Sequence, residues 1–275
     1  MRKMERLIHA LNTSLPFRNW PALQRIGSRV ASGFLLAAGG CYRQLGGQIE
    51  VRITPQSRYF EDNYEMESMR VIGNQLQRGD TAVDVGANIG LYSLLMGKRV
   101  GKTGKVYAFE PAQESFAQFQ INMELNGLGK VVEAYPVLVG CEAKRQLFHE
   151  DGFQGTNRVG GSRYDGPQTR VVERDTVLLD DFFGHRQRRP KVMKIDVEGY
   201  ELQVLRGARE TLRASQCVVL VEMHPDLWPE LGYDWMDIET YLEEVGFGMF
   251  SLDGVAFTDD KRLERIFLVL RPGVK

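Results

Sequence analysis

Cysteine is scarce, and what there is does not pair by spacing. Cys41, Cys141 and Cys217 are the only three in 275 residues. They are odd in number and far apart, so they make no CxxC pair and no disulfide framework, and a reducing compartment is expected. Net charge is scarce too, since 35 Lys and Arg against 36 Asp and Glu leave −1. That balance gives no reason to expect nucleic acid as an obligate partner. Long apolar runs are missing. Val30–Cys41 is the most apolar early stretch, but it falls well short of the roughly 20 residues that span a bilayer. Gly33, Gly39 and Gly40 weaken it as a helix, so a packed accessory helix is expected and no transmembrane segment. Met1–Arg6 is basic, yet Leu7–Ala10 is too short for the apolar core of a secretory signal, and a cytoplasmic chain is expected. There is no His-Glu-x-x-His or Cys-rich zinc pattern, no internal repeat and no low-complexity segment.

What the chain does have is alternation. Hydrophobic residues make up 43%, ample for a core. Met1–Gly47 carries no chemical motif and reads as short helices and loops. Gln48–Ile53 alternates like a half-buried strand, and Tyr59–Gln77 has helical spacing. Short apolar runs at Thr81–Val83, Lys105–Phe109, Val131–Tyr135, Lys191–Asp196 and Cys217–Glu222 read as strands. Helical patterns fall between or after them at Leu91–Met96, Ser115–Asn126, Tyr200–Leu212 and Trp235–Val245. Phe247–Leu252 and Arg265–Leu270 close the chain as a hairpin. Such alternation implies a parallel sheet with helices on both faces. Arg145–His149 and Thr169–Glu173 read as a second hairpin around Asp151–Gly166. That loop is long enough to serve as a substrate lid, with Arg158, Arg163 and Arg170 placed to meet an anionic group.

The organising stretch is Asp84–Gly90, Asp-Val-Gly-Ala-Asn-Ile-Gly, between a buried strand and a packed helix. This geometry presents free backbone N–H groups to a ligand, and Gly86 and Gly90 let that ligand approach the backbone. A dinucleotide loop needs Gly-x-Gly-x-x-Gly, but here Asn88 fills the second place and Leu91 the third. An acid at Asp84 disfavours phosphate and suits an ammonium or sulfonium group. A second acid, Glu110, ends the next strand about 20 residues on, as ribose recognition requires. A ribose joined to a cationic amino acid describes S-adenosylmethionine. The expected contacts are Asp84, Gly86, Ala87, Asn88, Gly90, Glu110 and Pro111, with Leu138 in an apolar stretch that could sandwich an adenine. Tyr64 and Glu67, just ahead of the turn, are candidates to face the methionine end.

Together, Asp84–Gly90, Phe109-Glu-Pro111 and the run Lys194-Ile-Asp-Val-Glu-Gly-Tyr-Glu-Leu-Gln-Val-Leu-Arg-Gly-Ala208 resemble the FkbM family of methyltransferases, from about Tyr59 onward. The resemblance implies a doubly wound, seven-stranded, Rossmann-like methyltransferase sheet with an antiparallel final strand. It makes residues 59–275 the catalytic domain and 1–58 an accessory extension, serving as a cap, a packing extension or a contact in a homo-oligomer. It also implies O-methylation of a sugar, glycan or natural-product hydroxyl, and it sets the first and fourth strands side by side.

Methyl transfer to oxygen needs an aligned acceptor and a group to take its proton. Asp196 and Glu198, two apart at a strand end, are candidates, with Lys194 as a partner to either. His224, after the fifth strand, has a suitable ordinary pKa for a base. Asp196 or Glu198 could instead cap the following helix. Mg²⁺ is compatible with Asp196 and Glu198, with Glu222 as a third oxygen, but no metal ligand is assigned. The rivals are N-methylation, for which the Asn/Asp-Pro-Pro-Tyr/Phe motif is lacking, and an S-adenosylmethionine-binding module without turnover.

Overall fold

Val83, Val106, Met193 and Leu220 are all fully buried, and strands covered on both faces need a layer above and another below. The computed structural model describes residues 39–57, 60–151, 157–160, 165–258 and 265–273. Cys41–Leu45 (β1) and Ile49–Ile53 (β2) form an antiparallel hairpin, and Met66–Gln75 (α1) follows. Next come Thr81–Val85 (β3), Leu91–Val100 (α2), Lys105–Phe109 (β4), Gln113–Leu125 (α3) and Val132–Tyr135 (β5). A smaller sheet is built from Leu138–Val139 (β6), Arg145–Glu150 (β7), Arg158–Val159 (β8) and Arg170–Val177 (β9). Leu179–Gly184 (α4), Val192–Ile195 (β10), Glu201–Arg206 (α5), Arg209–Ser215 (α6) and Val218–Met223 (β11) return to the main sheet. Trp228–Leu231 (α7), Trp235–Val245 (α8), Phe247–Phe250 (β12) and Ile266–Pro272 (β13) complete it.

The main sheet has seven strands in the order β12-β13-β11-β10-β3-β4-β5. β3, β4, β5, β10 and β11 run parallel, whereas β13 pairs antiparallel with both β11 and β12. Strand order reverses between β3 and β10, which are neighbours in register Lys194 to Asp84 and Ile195 to Val85. Ligands of such sheets sit at that point, beyond the carboxyl ends of the strands. One face packs Val83, Val85 and Ile195 against Leu202, Leu205, Ile238 and Leu242. The other packs Ala82, Val106 and Leu220 against Met69, Ile72, Leu94, Phe119 and the β1–β2 hairpin.

Several elements depart from the expected ones. Cys41–Leu45 is a strand rather than loop, because it supplies the partner that Ile49–Ile53 needs. The helix expected over Tyr59–Gln77 is confined to Met66–Gln75, after turns and a left-handed Glu65 (φ 42°). The single helix expected over Tyr200–Leu212 is two. A Cβ on Gly207 would lie 1.9 Å from the carbonyl oxygen of Gly140, so the break lets the chain pass β6 at close range. The expected helix over Val30–Cys41 falls largely outside the described residues, as do parts of the Asp151–Gly166 loop, Arg163 among them. Among the described residues, no helix is long and apolar enough to cross a membrane.

Candidate active site

β3 ends on Val85 and the chain turns at Gly86, with φ 73°. A Cβ there would stand 1.7 Å from the carbonyl oxygen of Asp196. Glycine is therefore dictated by the approach of the chain leaving β10, whatever else binds. Gly90, φ 89°, has a different reason. Its Cβ would meet Met123 and Phe119 at 2.7 Å, so it seats the start of α2 on α3 rather than opening a window for a ligand. Asn88, also left-handed at φ 47°, donates its N–H to Oε2 of Glu110 at 2.7 Å. The N–H of Ala112 donates to Oε1 at 2.8 Å. Glu110 is thus fixed in orientation and nearly buried, yet it borders the cavity. Burial pushes its carboxyl up to about 7 against the pull of those two N–H groups.

That cavity, about 1060 Å³ counting its open mouth, lies at the β3–β10 switch point. Gly86, Asn88, Glu110 and Pro111 form one side. An apolar stretch of wall comes from Val137, Leu138 and Val139, with Phe148 and Val159 supplied by the smaller sheet. Tyr64, Glu65, Asp196, Glu198, Glu222 and Arg265 make a carboxylate-rich part.

Beneath this part runs a network built on Lys194. Its Nζ donates to Oδ2 of Asp196 at 3.0 Å and to the carbonyl of Gly86 at 3.1 Å. It also lies 5.1 Å from the centre of the Tyr92 ring. Burial opposes its charge, but Asp196, Asp84 and Glu65 outweigh that and raise its pKa. Burial likewise opposes the charge of Asp196, yet Lys194 and His224 hold its pKa below the ordinary value. Tyr92 donates to Oε2 of Glu65 at 2.8 Å.

His224, 1% exposed, stands behind the carboxylates. Its Nδ1 is 3.0 Å from Oε1 of Glu201. Glu201 is fully buried, and its carboxylate also accepts from Gly199 N–H at 2.8 Å and Trp228 Nε1–H at 2.6 Å. Such a carboxylate acceptor requires a donor at Nδ1, which leaves Nε2 turned toward the cavity carboxylates. Nε2 faces Glu198 at 3.6 Å, Glu222 at 3.7 Å and Asp196 at 3.9 Å. Burial lowers the imidazole pKa, but the hydrogen bond to Glu201 and the surrounding carboxylates push it up to about 10. Burial raises Glu198 to about 7, and burial with Asp196 alongside raises Glu222 to about 8.

The candidate residues therefore occupy different places. Gly86, Asn88, Glu110, Pro111, Leu138, Asp196 and Glu198 border the cavity. Asp84, Ala87, Gly90 and His224 lie behind its surface. Asp84 is fully buried and accepts from Ser93 Oγ at 2.6 Å, so it braces the start of α2. Neither Asp196 nor Glu198 caps a helix. The chain after Ile195 leaves strand geometry through Glu198 (φ 47°) and Gly199 (φ 97°), and α5 begins without a side-chain cap. Glu67 is exposed on α1, and the neighbouring Glu65 reaches the cavity instead. Arg158 is buried against Asp165 at 2.6 Å, and Arg170 extends into solvent. Glu65, Glu201 and Arg265 were not singled out by sequence. The Glu201 signal was there, as an acid two residues past a glycine at the start of an amphipathic helix.

A doubly wound sheet with its cavity at the strand-order reversal, an acid at the end of the second parallel strand and carboxylates past the fourth defines a Rossmann-like α/β ligand site. The family model "Methyltransferase FkbM domain" matches residues 84–249, well over half of the chain. "Methyltransferase 1" of Beauveria bassiana is 35% identical over 190 residues, covering 61% of this chain and 72% of that protein. "Hexuronic acid methyltransferase AglP" of Haloferax volcanii is 26% identical over 183 residues, covering 66% and 69%. The crystal structure of Methyltransferase FkbM from Methylobacillus flagellatus KT aligns with TM-score 0.46 at 17% identity, over 71% of this chain. The aligned part spans 44% of that structure's chain, less than half its length. The fold assignment rests on strand order and not on that superposition. The chain belongs to the FkbM family of methyltransferases.

Proposed function

We propose that this methyltransferase uses S-adenosylmethionine to methylate a hydroxyl oxygen of a sugar, glycan or related small molecule. The observation that carries the reading is one continuous cavity with three chemistries. Glu110, its orientation fixed by two backbone N–H groups, offers carboxylate oxygens to a ribose diol. The apolar wall at Val137–Val139, with Phe148 and Val159, suits a flat base. Asp196, held ionised beside Lys194, supplies negative charge for an amino-acid and sulfonium group, with the carboxyl groups of Glu65 and Glu222 beside it. These residues fit the cofactor, which when bound supplies an electrophilic methyl group.

The protein's own task is then to align the acceptor oxygen and receive its proton. Alignment can contribute about 7–11 kcal/mol in good cases, and a positioned base about 10²–10⁴-fold. Asp196, Glu198 and Glu222 are the cavity-wall carboxylates that follow β10 and β11, and they are the candidates to receive it. The mixed polar and apolar lining and the hexuronic acid relative both favour a carbohydrate acceptor. A cytoplasmic setting fits this chemistry and is proposed with it.

The test is calorimetric titration with S-adenosylmethionine and S-adenosylhomocysteine, followed by incubation with a panel of sugars and uronic acids. Saturable binding with mass gain of one methyl on an oxygen acceptor is expected. Binding without transfer to any acceptor class points to a module without turnover, and transfer to amines alone sinks the O-methylation reading.

A further inference from the structure

We propose that Asp196, Glu198, Glu222 and His224, beyond the carboxyl ends of β10 and β11, form a divalent-cation site of the Mn²⁺ type. Three independent observations carry it. First, Nε2 of His224 has no hydrogen-bond partner although the side chain is 1% exposed. A buried nitrogen without a partner is costly unless something is meant to meet it. It points into carboxylates at 3.6, 3.7 and 3.9 Å. Those separations are too long for hydrogen bonds. They lie within the roughly 4 Å that two ligands about 2.0–2.2 Å from one ion can span. Single ligand atoms of Asp196, Glu198 and His224 all lie within 4.8 Å of one another.

Second, the far side of the imidazole is arranged as metal-bound histidines are, with the other ring nitrogen held by a carboxylate. Glu201 is that carboxylate, at 3.0 Å from Nδ1, and it is anchored by Gly199 and Trp228. It aims Nε2 at the cluster and holds the ring against rotation, and a bound ion would take the place of the Nε2 proton that the carboxylates otherwise favour. Third, the backbone at Glu198 is left-handed, φ 47°, followed by Gly199 at φ 97°. A non-glycine residue in that region is uncommon, and here the turn brings Glu198 round to face His224. Asp196 gives one oxygen to Lys194 and keeps Oδ1 toward His224.

The donor set selects the ion. Carboxylates suit Mg²⁺, Ca²⁺ and Mn²⁺, imidazole suits later transition metals, and thiolate is absent from the cluster. Mn²⁺ accepts both donor types. Asp196, Glu198 and Glu222 also border the cavity, so the ion keeps open positions toward it. There it would hold an acceptor oxygen, a role that rests on the proposed function. Binding of the ion does not.

The test uses the full chain stripped with EDTA, with neither cofactor nor acceptor. MnCl2 is titrated and free aqueous Mn²⁺ is followed by its electron paramagnetic resonance signal. Parallel calorimetry uses ZnCl2 and MgCl2. One saturable Mn²⁺ per chain is expected, weakened at least tenfold in Glu198→Gln and lost in His224→Ala. Because His224 is buried, Glu201→Gln is the second variant. As a positioning residue it should weaken binding about 10–100-fold. Arg265→Ala should act in the opposite direction and tighten binding, since it frees Glu198 from a guanidinium 3.2 Å away. Free Mn²⁺, Zn²⁺ and Mg²⁺ all unaffected by the wild-type chain would overturn the site, leaving a proton on Nε2 as its only cation. So would binding that survives both Glu198→Gln and Glu201→Gln. Preference for Zn²⁺ or Mg²⁺ keeps the site and overturns the choice of ion. S-adenosylhomocysteine titrated into the same preparation separates the two readings, because either ligand can bind without the other.

Discussion

Glu110 concentrates much of the site's chemistry in one side chain. Its carboxyl stands at about 7 in the folded chain, against 4.5 as the ordinary value, because burial disfavours the charge. Between these values the unfolded chain has lost the proton and the folded chain keeps it. Stability from this group therefore falls as pH rises from 4.5 to about 7, and is level above. Ribose hydroxyls donate best to the ionised form, so cofactor affinity should rise with pH through about 7 and then plateau. Glu110→Gln should weaken S-adenosylhomocysteine binding roughly 10–100-fold, as loss of charged hydrogen bonds does, and flatten that pH profile. Calorimetry from pH 6 to 8.5 checks both. Lys194 gives the complementary case. It is nearly buried and pairs Asp196 while facing Asp84 and Glu65. Lys194→Met should cost about 3–5 kcal/mol in urea unfolding, since it strands buried carboxylates without a cation. A loss under 1 kcal/mol would mean that those carboxylates are protonated or hydrated.

At the scale of elements, close backbone approaches explain why some boundaries were readable and others were not. The strands at Val83, Val106, Met193 and Leu220 announced themselves by apolar runs. The strand β2 and the helix Trp235–Val245 did so by alternation and by helical spacing. Asp234 caps that helix, accepting from the N–H groups of Met236 and Asp237. Asp234→Ala should cost about 1 kcal/mol with cofactor affinity unchanged, which thermal unfolding and calorimetry would show together. The break between α5 and α6 was not readable, because its cause is Gly140, far away in sequence, whose carbonyl occupies the space a Cβ on Gly207 would fill. Gly207→Ala should therefore destabilise by about 1–3 kcal/mol as an overpacked contact, although alanine is the better helix former. The site divides in the same way. Glu110, Asp196 and Glu198 were legible as acids at strand ends. Glu65 and Arg265 were not, because their places depend on how α1 and the start of β13 fold around the cavity.

For the whole molecule, the cavity is where separate parts of the chain meet. Gly86 and Glu110 come from the β3–β4 side, Asp196 and Glu222 from the β10–β11 side, and Phe148 and Val159 from the smaller sheet. A ligand filling it binds only when all three are assembled, so its binding energy adds to global stability rather than to one loop. At 100 times its dissociation constant a ligand adds about 2.7 kcal/mol. For a chain of this size that corresponds to a rise in Tm of roughly 5–10 °C. S-adenosylhomocysteine should produce such a shift in a single transition. Glu110→Gln at the same concentration should keep at most about half of it, because even a tenfold weaker complex forfeits about 1.4 kcal/mol. A shift confined to part of the unfolding curve would mean that the smaller sheet melts independently and that the cavity is completed only on binding. No shift with either S-adenosylmethionine or S-adenosylhomocysteine would remove the cofactor assignment itself, since a site drawn from three parts of the fold cannot be occupied without stabilising their assembly.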